Sequence, residues 1–426
     1  MTFSFVAVLT PSRIQVITTV FCAFIITGLF TSSFFRILPS IGIIGLTLIA
    51  ILYAVTYSRV EQGPNWSGYL SLTIVFLLHL LSGLYTQTAN SNEYWRDILL
   101  QSPFLLLPLA FWLLPPLKAK YLRRLWFLFF ALVVIFALGS TINYLLDAKH
   151  INETYLHSQV MPTEPDHIRF SLMISLAIAV GATMLVHKTV PLYWNVWVIA
   201  CTTFLVFYQH LLAVRSGLLT FYSLGIVAVV WLIFKAAKYR LAARLICVLI
   251  LLPILSFICF PTFQNKFHNT KEDMGQIDQM HSANNYSLTG RVYSYKVAMM
   301  LVYENPWLGV SNADMQQELA KKYKVAFPSI RPSSYIKPHN QFIYCLVAFG
   351  FVGAILFAAC FYYPVIWAWP RHAPLLTAHY LIITLSFLVE YTLETQVGLT
   401  FSLIFLLMAL SGLVNREATN DEWTPA

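Results

Sequence analysis

The sequence has 426 residues, of which 58% are hydrophobic and only 11% are charged. Soluble domains carry about 25% charged residues, so this composition excludes an ordinary soluble protein. Stretches of about 18 or more apolar residues recur along the chain and predict an all-α, multi-pass membrane protein. Basic loops that set membrane topology account for the net charge of +9, so we predict contact with membrane lipids and no nucleic-acid partner.

Twelve apolar segments are predicted to cross the membrane. They cover residues 14–35, 37–57, 67–88, 98–117, 125–146, 170–187, 190–212, 216–234, 245–263, 341–366, 374–393 and 397–414. In membrane proteins, lysine and arginine are enriched in the cytoplasmic loops. If the N-terminus is cytoplasmic, thirteen of these residues fall in inner loops and five in short outer loops. The five outer residues are Arg36, Arg96, Lys149, Arg169 and Arg215. Both termini are therefore predicted to be cytoplasmic.

Two long segments lie on the predicted outer side, at residues 147–169 and 264–338. A structureless loop as long as the second is unusual, so we predict that it forms a partly helical, lid-like subdomain between the ninth and tenth spans. The chain then divides into a bundle of nine spans (1–263), the loop subdomain (264–338), and the last three spans with a short cytoplasmic tail (339–426).

One helix is predicted within the loop subdomain, from Arg291 to Tyr303. Ser287 and Thr289 are candidate caps for its first turn, and Asn305-Pro306 would end it. Apolar residues at three- and four-residue spacing predict that one face packs on the membrane or on other helices. This face consists of Val292, Tyr295, Met299 and Val302.

Two arginines on the predicted outer side are candidate anion ligands. Arg215 begins "RSGLL" at the joint between two apolar spans, where a positive charge opposes the topology rule. Its guanidinium could grip a phosphate in a two-pronged manner, or simply mark a helix end by snorkelling. Arg291 follows Gly290 in the loop helix and could meet the same anion, or it could be an ordinary solvated side chain.

The stretch "KPHNQFIYCLVAFGFVG" contains a candidate base, His339, beside the polar Asn340 at the outer start of the tenth span. Imidazole titrates near neutral pH, so His339 could accept a proton from a hydroxyl, although a histidine at a helix end can also be structural. Pro338 suits the start of a helix. Gly350 and Gly353 share a helix face and predict close packing against another helix.

Two glutamates, Glu390 and Glu394, lie four residues apart near the outer end of the eleventh span. Carboxylates at such depth are rare and are usually functional or paired. Either glutamate could orient His339 or pair with an arginine, and a purely structural ion pair is the alternative. The histidines of the outer segments lack ligand spacing, and the sequence contains no HExxH, P-loop or GxGxxG pattern, so we predict no metal site and no cofactor.

The order of these motifs resembles that of the O-antigen ligase and polymerase superfamily. The resemblance covers residues 210–400 and rests on "RSGLL", then "TGR" and "NPWLG" in the large outer loop, then "HN" followed by "GFVG". It is nearest to the lipopolysaccharide O-antigen ligases of Gram-negative bacteria. The chain departs from the family at Ser311, where many members have a second glycine after Gly309, and this departure concerns the loop geometry.

The resemblance implies a glycosyltransferase with a GT-C-like helical fold in the bacterial inner membrane and an active site that faces the periplasm. It would transfer O-antigen from undecaprenyl pyrophosphate to a sugar hydroxyl of lipid A–core without metal or nucleotide. The family's clamp arginine falls on Arg215, its loop arginine on Arg291 and its catalytic histidine on His339, while Asn340, Glu390 and Glu394 are expected to support the substrates.

Two alternative functions remain open at the level of the sequence. An O-antigen polymerase would use the same donor with another polyprenyl-linked glycan as acceptor. A transporter or lipid flippase would carry internal repeats and charged or broken helices near the bilayer midplane. The sequence has no such repeat, and its charges lie at the predicted outer edge.

Overall fold

A computed structural model describes residues 10–57, 66–156, 159–188, 191–371 and 373–419 of the chain. Within these ranges every regular element is helical, as the composition predicts. In the described part of the chain, ten helical segments are long and apolar enough to cross a membrane. Two shorter apolar helices, Ser67–Ser82 and Pro374–Phe387, correspond to the predicted third and eleventh spans. The prediction of an all-α, multi-pass membrane protein is confirmed.

The first eleven helices form the part of the bundle that precedes the large outer segment. They are α1 (Pro11–Phe30), α2 (Leu38–Thr56), α3 (Trp66–Ser82), α4 (Ser91–Gln101), α5 (Pro103–Leu113), α6 (Ala119–Leu146), α7 (Ala148–Leu156), α8 (His167–Val186), α9 (Leu192–Leu212), α10 (Arg215–Phe234) and α11 (Tyr239–Cys259). The remaining helices are α12 (Pro261–Gly275), α13 (Ser287–Glu304), α14 (Met315–Ala326), α15 (Gln341–Ala368), α16 (Pro374–Phe387) and α17 (Gln396–Thr419).

The core of the bundle surrounds α17, which is buried along nearly its whole length. This helix packs against α1, α5, α6 and α16. Its apolar side chains, including Phe401, Phe405 and Leu407, are inaccessible to solvent. Because a helix that is hydrophobic all round can be buried on every side, α17 occupies the centre, while α10 and α11 expose most of their surfaces at the periphery.

The large segment between α11 and α15 is folded onto one end of the bundle. α12 packs against α7 and α13, and α13 packs against α14 and α15. On the other side, Asp314 accepts hydrogen bonds from the backbone of Gln87 (2.9 Å) and the side chain of Asn90 (2.6 Å). The sequence predicted one helix here, and the structure contains three.

The loop helix α13 begins earlier and buries a different face than the sequence suggested. It starts at Ser287, and neither Ser287 nor Thr289 caps it, since its N-cap residue is Tyr286 and no side chain bonds to the free amides. The buried face is centred on Tyr293, Val297 and Leu301 rather than on Val292 and Met299. Its flanks are the small residues Gly290, Ser294 and Ala298. Small side chains allow α13 to approach α14 and α15 closely, and a pattern of bulky residues alone does not reveal such a face.

The long helix α15 is interrupted at Gly350, where the backbone adopts φ 64° and ψ −169°. The segment Pro306–Ser311 fills the break. Phe351 and Val352 donate to the carbonyls of Pro306 (2.7 Å) and Trp307 (3.3 Å), and Val310 and Ser311 donate to those of Val347 (2.9 Å) and Ala348 (3.0 Å). Irregular backbone in a membrane-spanning helix is tolerated where protein groups satisfy its hydrogen bonds, as they do here.

This break corrects the predicted role of Gly350 and explains why the motifs "NPWLG" and "GFVG" occur together. A Cβ on Gly350 would lie 2.2 Å from the carbonyl carbon of Trp307, and one on Gly309 would lie 2.5 Å from the oxygen of Val347. Gly350 therefore allows the backbone of Trp307 and Leu308 to approach closely, and it does not pack against a neighbouring helix. Ser311, the position at which the sequence departs from the family pattern it resembles, adopts a φ of 70°, a conformation that favours glycine.

Replacing Gly350 with alanine is expected to destabilise the protein by more than ~3 kcal/mol, because the added Cβ meets backbone atoms in a conformation that is essentially restricted to glycine. The measurement is thermal unfolding in detergent. Gly139→Ala in α6 is the matched control, since no atom lies within 4 Å of its added Cβ and alanine favours helix. Equal unfolding temperatures for the two variants would contradict the proposed role of the break.

Candidate functional site

His339 lies immediately before the cap of α15. The helix begins at Gln341, and the side chain of Asn340 accepts hydrogen bonds from the amides of Phe342 (2.9 Å) and Ile343 (3.1 Å). Asn340 also donates to the carbonyl of Leu388 (3.2 Å), which ties the start of α15 to the end of α16. The structure thus uses Asn340 as an N-cap, and this cap fixes the position of the neighbouring His339.

Glu390 joins His339 to Arg291. One oxygen of the carboxylate lies 3.1 Å from His339 Nδ1, and the other accepts from Arg291 Nη2 at 2.7 Å. Arg291 Nη1 also donates to the carbonyl of Val389 (3.1 Å). Glu390 is only 4% exposed, whereas His339 is 20% and Arg291 25% exposed. The carboxylate is therefore internal, and the imidazole and the guanidinium reach the surface.

The environment keeps Glu390 ionised. Burial alone would raise the pKa of this carboxyl, but the hydrogen bond with His339 and the positive charges of His339, Arg291 and Arg169 outweigh it, so the pKa lies below its usual value. When the imidazole is neutral, an ionised carboxylate holds His339 with Nδ1 as the donor and leaves Nε2 as the acceptor. That tautomer is the one a general base needs.

Tyr295, also on α13, helps to position His339. The hydroxyl of Tyr295 donates to the backbone carbonyl of His339 at 2.7 Å. Tyr295 lies one turn after Arg291, so a single face of α13 contacts both the histidine and its carboxylate. The ring of Tyr391 lies edge-on to the imidazole, with 4.9 Å between centroids. Glu390 and Tyr391, both after α16, contact the imidazole, and α13 holds the backbone of the same residue.

Arg215 is held by a different helix. Its Nε donates to the hydroxyl of Thr270 at 2.9 Å, and its Nη2 lies 3.2 Å from a carboxylate oxygen of Asp273. Both partners are on α12, and Asp273 is 5% exposed whereas Arg215 is 38% exposed. Residues on α12 thus orient the guanidinium from one edge and leave the other edge accessible.

Lys266 and Arg169 add positive charge around these groups. Lys266 lies on α12 within electrostatic reach of both Arg215 and Arg291. Arg169 lies near the start of α8, paired with Asp166 at 3.3 Å, and its charge also acts on Glu390. The site therefore collects cations from α8, α10, α12 and α13 at one end of the bundle, an arrangement suited to a polyanionic group.

Glu394 belongs to a separate buried cluster and does not contact His339. Its carboxylate accepts from the side chains of Gln341 (3.2 Å) and Gln101 (3.3 Å). Nearby, His79 Nδ1 lies 2.7 Å from Asp97, which also accepts from Asn312. Of the two glutamates left open by the sequence, Glu390 contacts the histidine, whereas Glu394 is half-buried and bonds Gln101 and Gln341.

The predicted site residues are therefore only partly together. Arg291 and His339 share Glu390, whereas Arg215 is held by Thr270 and Asp273. The charges of Arg215 and Arg291 both lower the pKa of Lys266. Sequence reasoning missed Lys266, Thr270 and Asp273, which recur at four- and three-residue spacing on one face of α12. That spacing is the signal that could have identified them, had residues 261–275 been predicted to be helical.

Among the residues that the structure describes, no group of three or more histidine, cysteine, aspartate or glutamate side chains could hold a metal ion. His157 lies outside the described ranges. The sequence-based expectation of a reaction without metal or cofactor stays a prediction.

Comparison with known families adds an independent finding. Residues 200–358 match the model of the O-antigen ligase family. This segment is an O-antigen ligase family domain. The match contains Arg215, Lys266, Arg291 and His339, whereas Glu390 lies beyond it. No curated protein matches the sequence.

The O-antigen ligase family domain confirms the resemblance inferred from the motifs at the level of the ligase and polymerase family. The ten membrane-length helices of the described residues indicate a multi-pass membrane protein, and the family matched over residues 200–358 implies glycosyltransferase-like ligase or polymerase activity. Polyprenyl-linked glycans and lipids are the substrate classes that such a family suggests.

Proposed function

We propose that this protein is an O-antigen ligase of the bacterial inner membrane, with both termini cytoplasmic and the site facing the periplasm. It transfers O-antigen polysaccharide from undecaprenyl pyrophosphate to a sugar hydroxyl of lipid A–core. The observation that carries the proposal is the shared carboxylate of Glu390, which links a candidate base, His339, to an anion-binding guanidinium, Arg291. The residue range 264–338 is proposed as the periplasmic subdomain.

His339 acts as the general base in this proposal. With Nδ1 directed at Glu390, the lone pair on Nε2 accepts the proton of the acceptor hydroxyl as its oxygen attacks the anomeric carbon. Glu390 then stabilises the imidazolium that forms, as the carboxylate does in a Ser-His-Asp triad. The bond between the anomeric carbon and the diphosphate oxygen breaks, and its electron pair leaves with the phosphate. Attack opposite the leaving group inverts the anomeric centre.

Arg215 and Arg291 act as the clamp for the pyrophosphate. Each guanidinium is held along one edge by protein carboxylates and is partly exposed along the other. Donors that are fixed before reaction stabilise developing negative charge without reorganisation, so the clamp favours departure of the diphosphate. The polyprenyl tail remains in the surrounding lipid. With the leaving group stabilised in this way, the mechanism requires no metal and no acid catalyst.

Reconstitution tests the proposed function. The purified protein is combined with undecaprenyl-pyrophosphate-linked O-antigen and lipid A–core in detergent with a chelator, and products are separated on gels. A ladder on lipid A–core is the expected result. Polymer that accumulates on the polyprenyl carrier, with none on lipid A–core, would identify a polymerase and overturn the ligase assignment.

Replacing Arg215 with lysine is expected to lower the transfer rate about 10²–10³-fold, the usual cost of removing one preorganised donor. An ammonium cannot bond Thr270 and Asp273 and still present a fork to a phosphate. The measurement is the initial rate in the reconstituted reaction. Arg331→Lys is the control, because Arg331 is exposed and its guanidinium donates to the side chain of Asn285. Wild-type turnover by Arg215→Lys would contradict the clamp.

A further inference from the structure

Lys266 has a position that the proposed mechanism leaves unexplained. Lys266, Thr270 and Asp273 lie on one face of α12 at positions i, i+4 and i+7, and the hydroxyl of Thr270 donates to the carbonyl of Lys266 (2.7 Å). The latter two residues hold Arg215. The same helix face that orients one arm of the clamp therefore carries another cation.

The charges around Lys266 are unfavourable for an ammonium. Burial and the guanidiniums of Arg215 and Arg291 lower its pKa from 10.5 to about 8, and the attraction of Asp273 offsets this only in part. Lys266 forms no ion pair with any residue in the described part of the chain, since Asp273 pairs with Arg215. A half-buried cation next to two others is stabilised when an anion arrives among them.

Other titratable groups near α12 are few. On α8, His167 lies within electrostatic reach of Lys266. α7 packs on α12 through the carbonyls of Asn152 and Tyr155. On α9, the ring nitrogens of His210 are bonded to the carbonyl of Val206 and the hydroxyl of Tyr222. The remaining charged groups of α7, α11, α12 and α13 are exposed: Lys149, His150, Glu153, Arg240, Arg244, His268, Lys271, Glu272, Lys296 and Glu304.

We propose that Lys266 is a third cationic contact for the diphosphate of the polyprenyl-linked donor, completing a ring with Arg215 and Arg291. This inference rests on the proposed function, and it couples binding of the diphosphate to protonation of Lys266. A bound diphosphate favours the ammonium form, so binding above pH 8 takes up one proton at Lys266. Affinity is then highest where Lys266 is already charged, below pH 8, and falls as the pH rises above 8.

The test measures binding of undecaprenyl diphosphate to the purified full-length protein at pH 7 and pH 9. For the wild type, linkage to a group with a pKa of about 8 predicts an affinity about tenfold weaker at pH 9. Lys266→Arg stays charged and is expected to show no such dependence. Lys266→Met is expected to bind about tenfold more weakly at pH 7, because a charge-assisted contact is lost. Lys271→Met, an exposed lysine on the same helix, is expected to match the wild type.

The outcomes separate this inference from the function on which it rests. Wild-type affinity in Lys266→Met, or an unchanged pH dependence in Lys266→Arg, would overturn the role of Lys266 while Arg215→Lys still loses affinity. Failure of the wild-type protein to bind undecaprenyl diphosphate at either pH would instead overturn the proposed function. Phosphatidylglycerol added in excess distinguishes the two sources of phosphate, since displacement of the diphosphate by this lipid would show that the ring binds headgroups in general.

Discussion

Replacing His339 with alanine is expected to lower O-antigen transfer about 10²–10⁴-fold, the range that a positioned general base supplies. The imidazole is the group that would accept the proton of the acceptor hydroxyl, and Glu390 and Tyr295 fix its position. The measurement is the rate of lipid A–core modification under conditions in which both substrates saturate the enzyme. Because the side chain is partly exposed, its removal should leave the folded protein intact.

A chemical rescue and a control variant make this result specific to proton transfer. Free imidazole is expected to restore part of the activity of His339→Ala, since it can enter the space left by the side chain and accept the same proton. His281→Ala removes an exposed histidine from a short 3-10 turn of the same segment, and it is expected to react at the wild-type rate. Full activity of His339→Ala, in a protein that unfolds at the wild-type temperature, would refute the assignment of the base.

Replacing Glu390 with glutamine is expected to lower the transfer rate about 10²-fold or more, because loss of the carboxylate that orients a catalytic histidine costs ~10⁴-fold in serine proteases. The amide keeps the volume of the side chain, but it removes the charge that both His339 and Arg291 face. The loss should fall on kcat, with a smaller change in KM for the acceptor, since Glu390 contacts the base and not the sugar in the proposed mechanism.

Glu394→Gln is the matched control for this variant. Glu394 is half-buried and also accepts two side-chain hydrogen bonds, but its partners are Gln101 and Gln341 rather than His339. Its neutralisation is expected to leave kcat close to that of the wild type. If Glu394→Gln lost activity and Glu390→Gln did not, the acidic partner would have been assigned to the wrong glutamate.

Much of the fold could be predicted from hydrophobicity alone. Apolar stretches of membrane length identify most spans directly. In lipid the backbone has no water to bond, so such a stretch must form a helix that satisfies its own hydrogen bonds. Helices α12 and α14 were missed since they are polar and short, and their order comes from packing on the bundle rather than from periodicity. The apolar face of α13 was misjudged because its closest contacts are made through glycine, serine and alanine.

The candidate site could be predicted residue by residue but not as an arrangement. Arg215, Arg291 and His339 were singled out from motifs, yet the sequence could not decide between Glu390 and Glu394, which lie on one face of any continuous helix. The structure separates them because α16 ends at Phe387 and the chain then turns. The partnership of Arg215 with Asp273 spans 58 positions, and no local pattern predicts a contact of that kind.

The interrupted helix α15 prevents the outer segment from being exchanged independently of the bundle. Four backbone hydrogen bonds join Pro306–Ser311 to residues 347–352, and removal of that segment would leave these groups unsatisfied inside the membrane helix, at a cost of several kcal/mol each. Chimeras that exchange residues 264–338 between relatives must therefore carry the matching part of α15 with them. The outer segment and α15 therefore form one structural unit, and neither can be exchanged without the other.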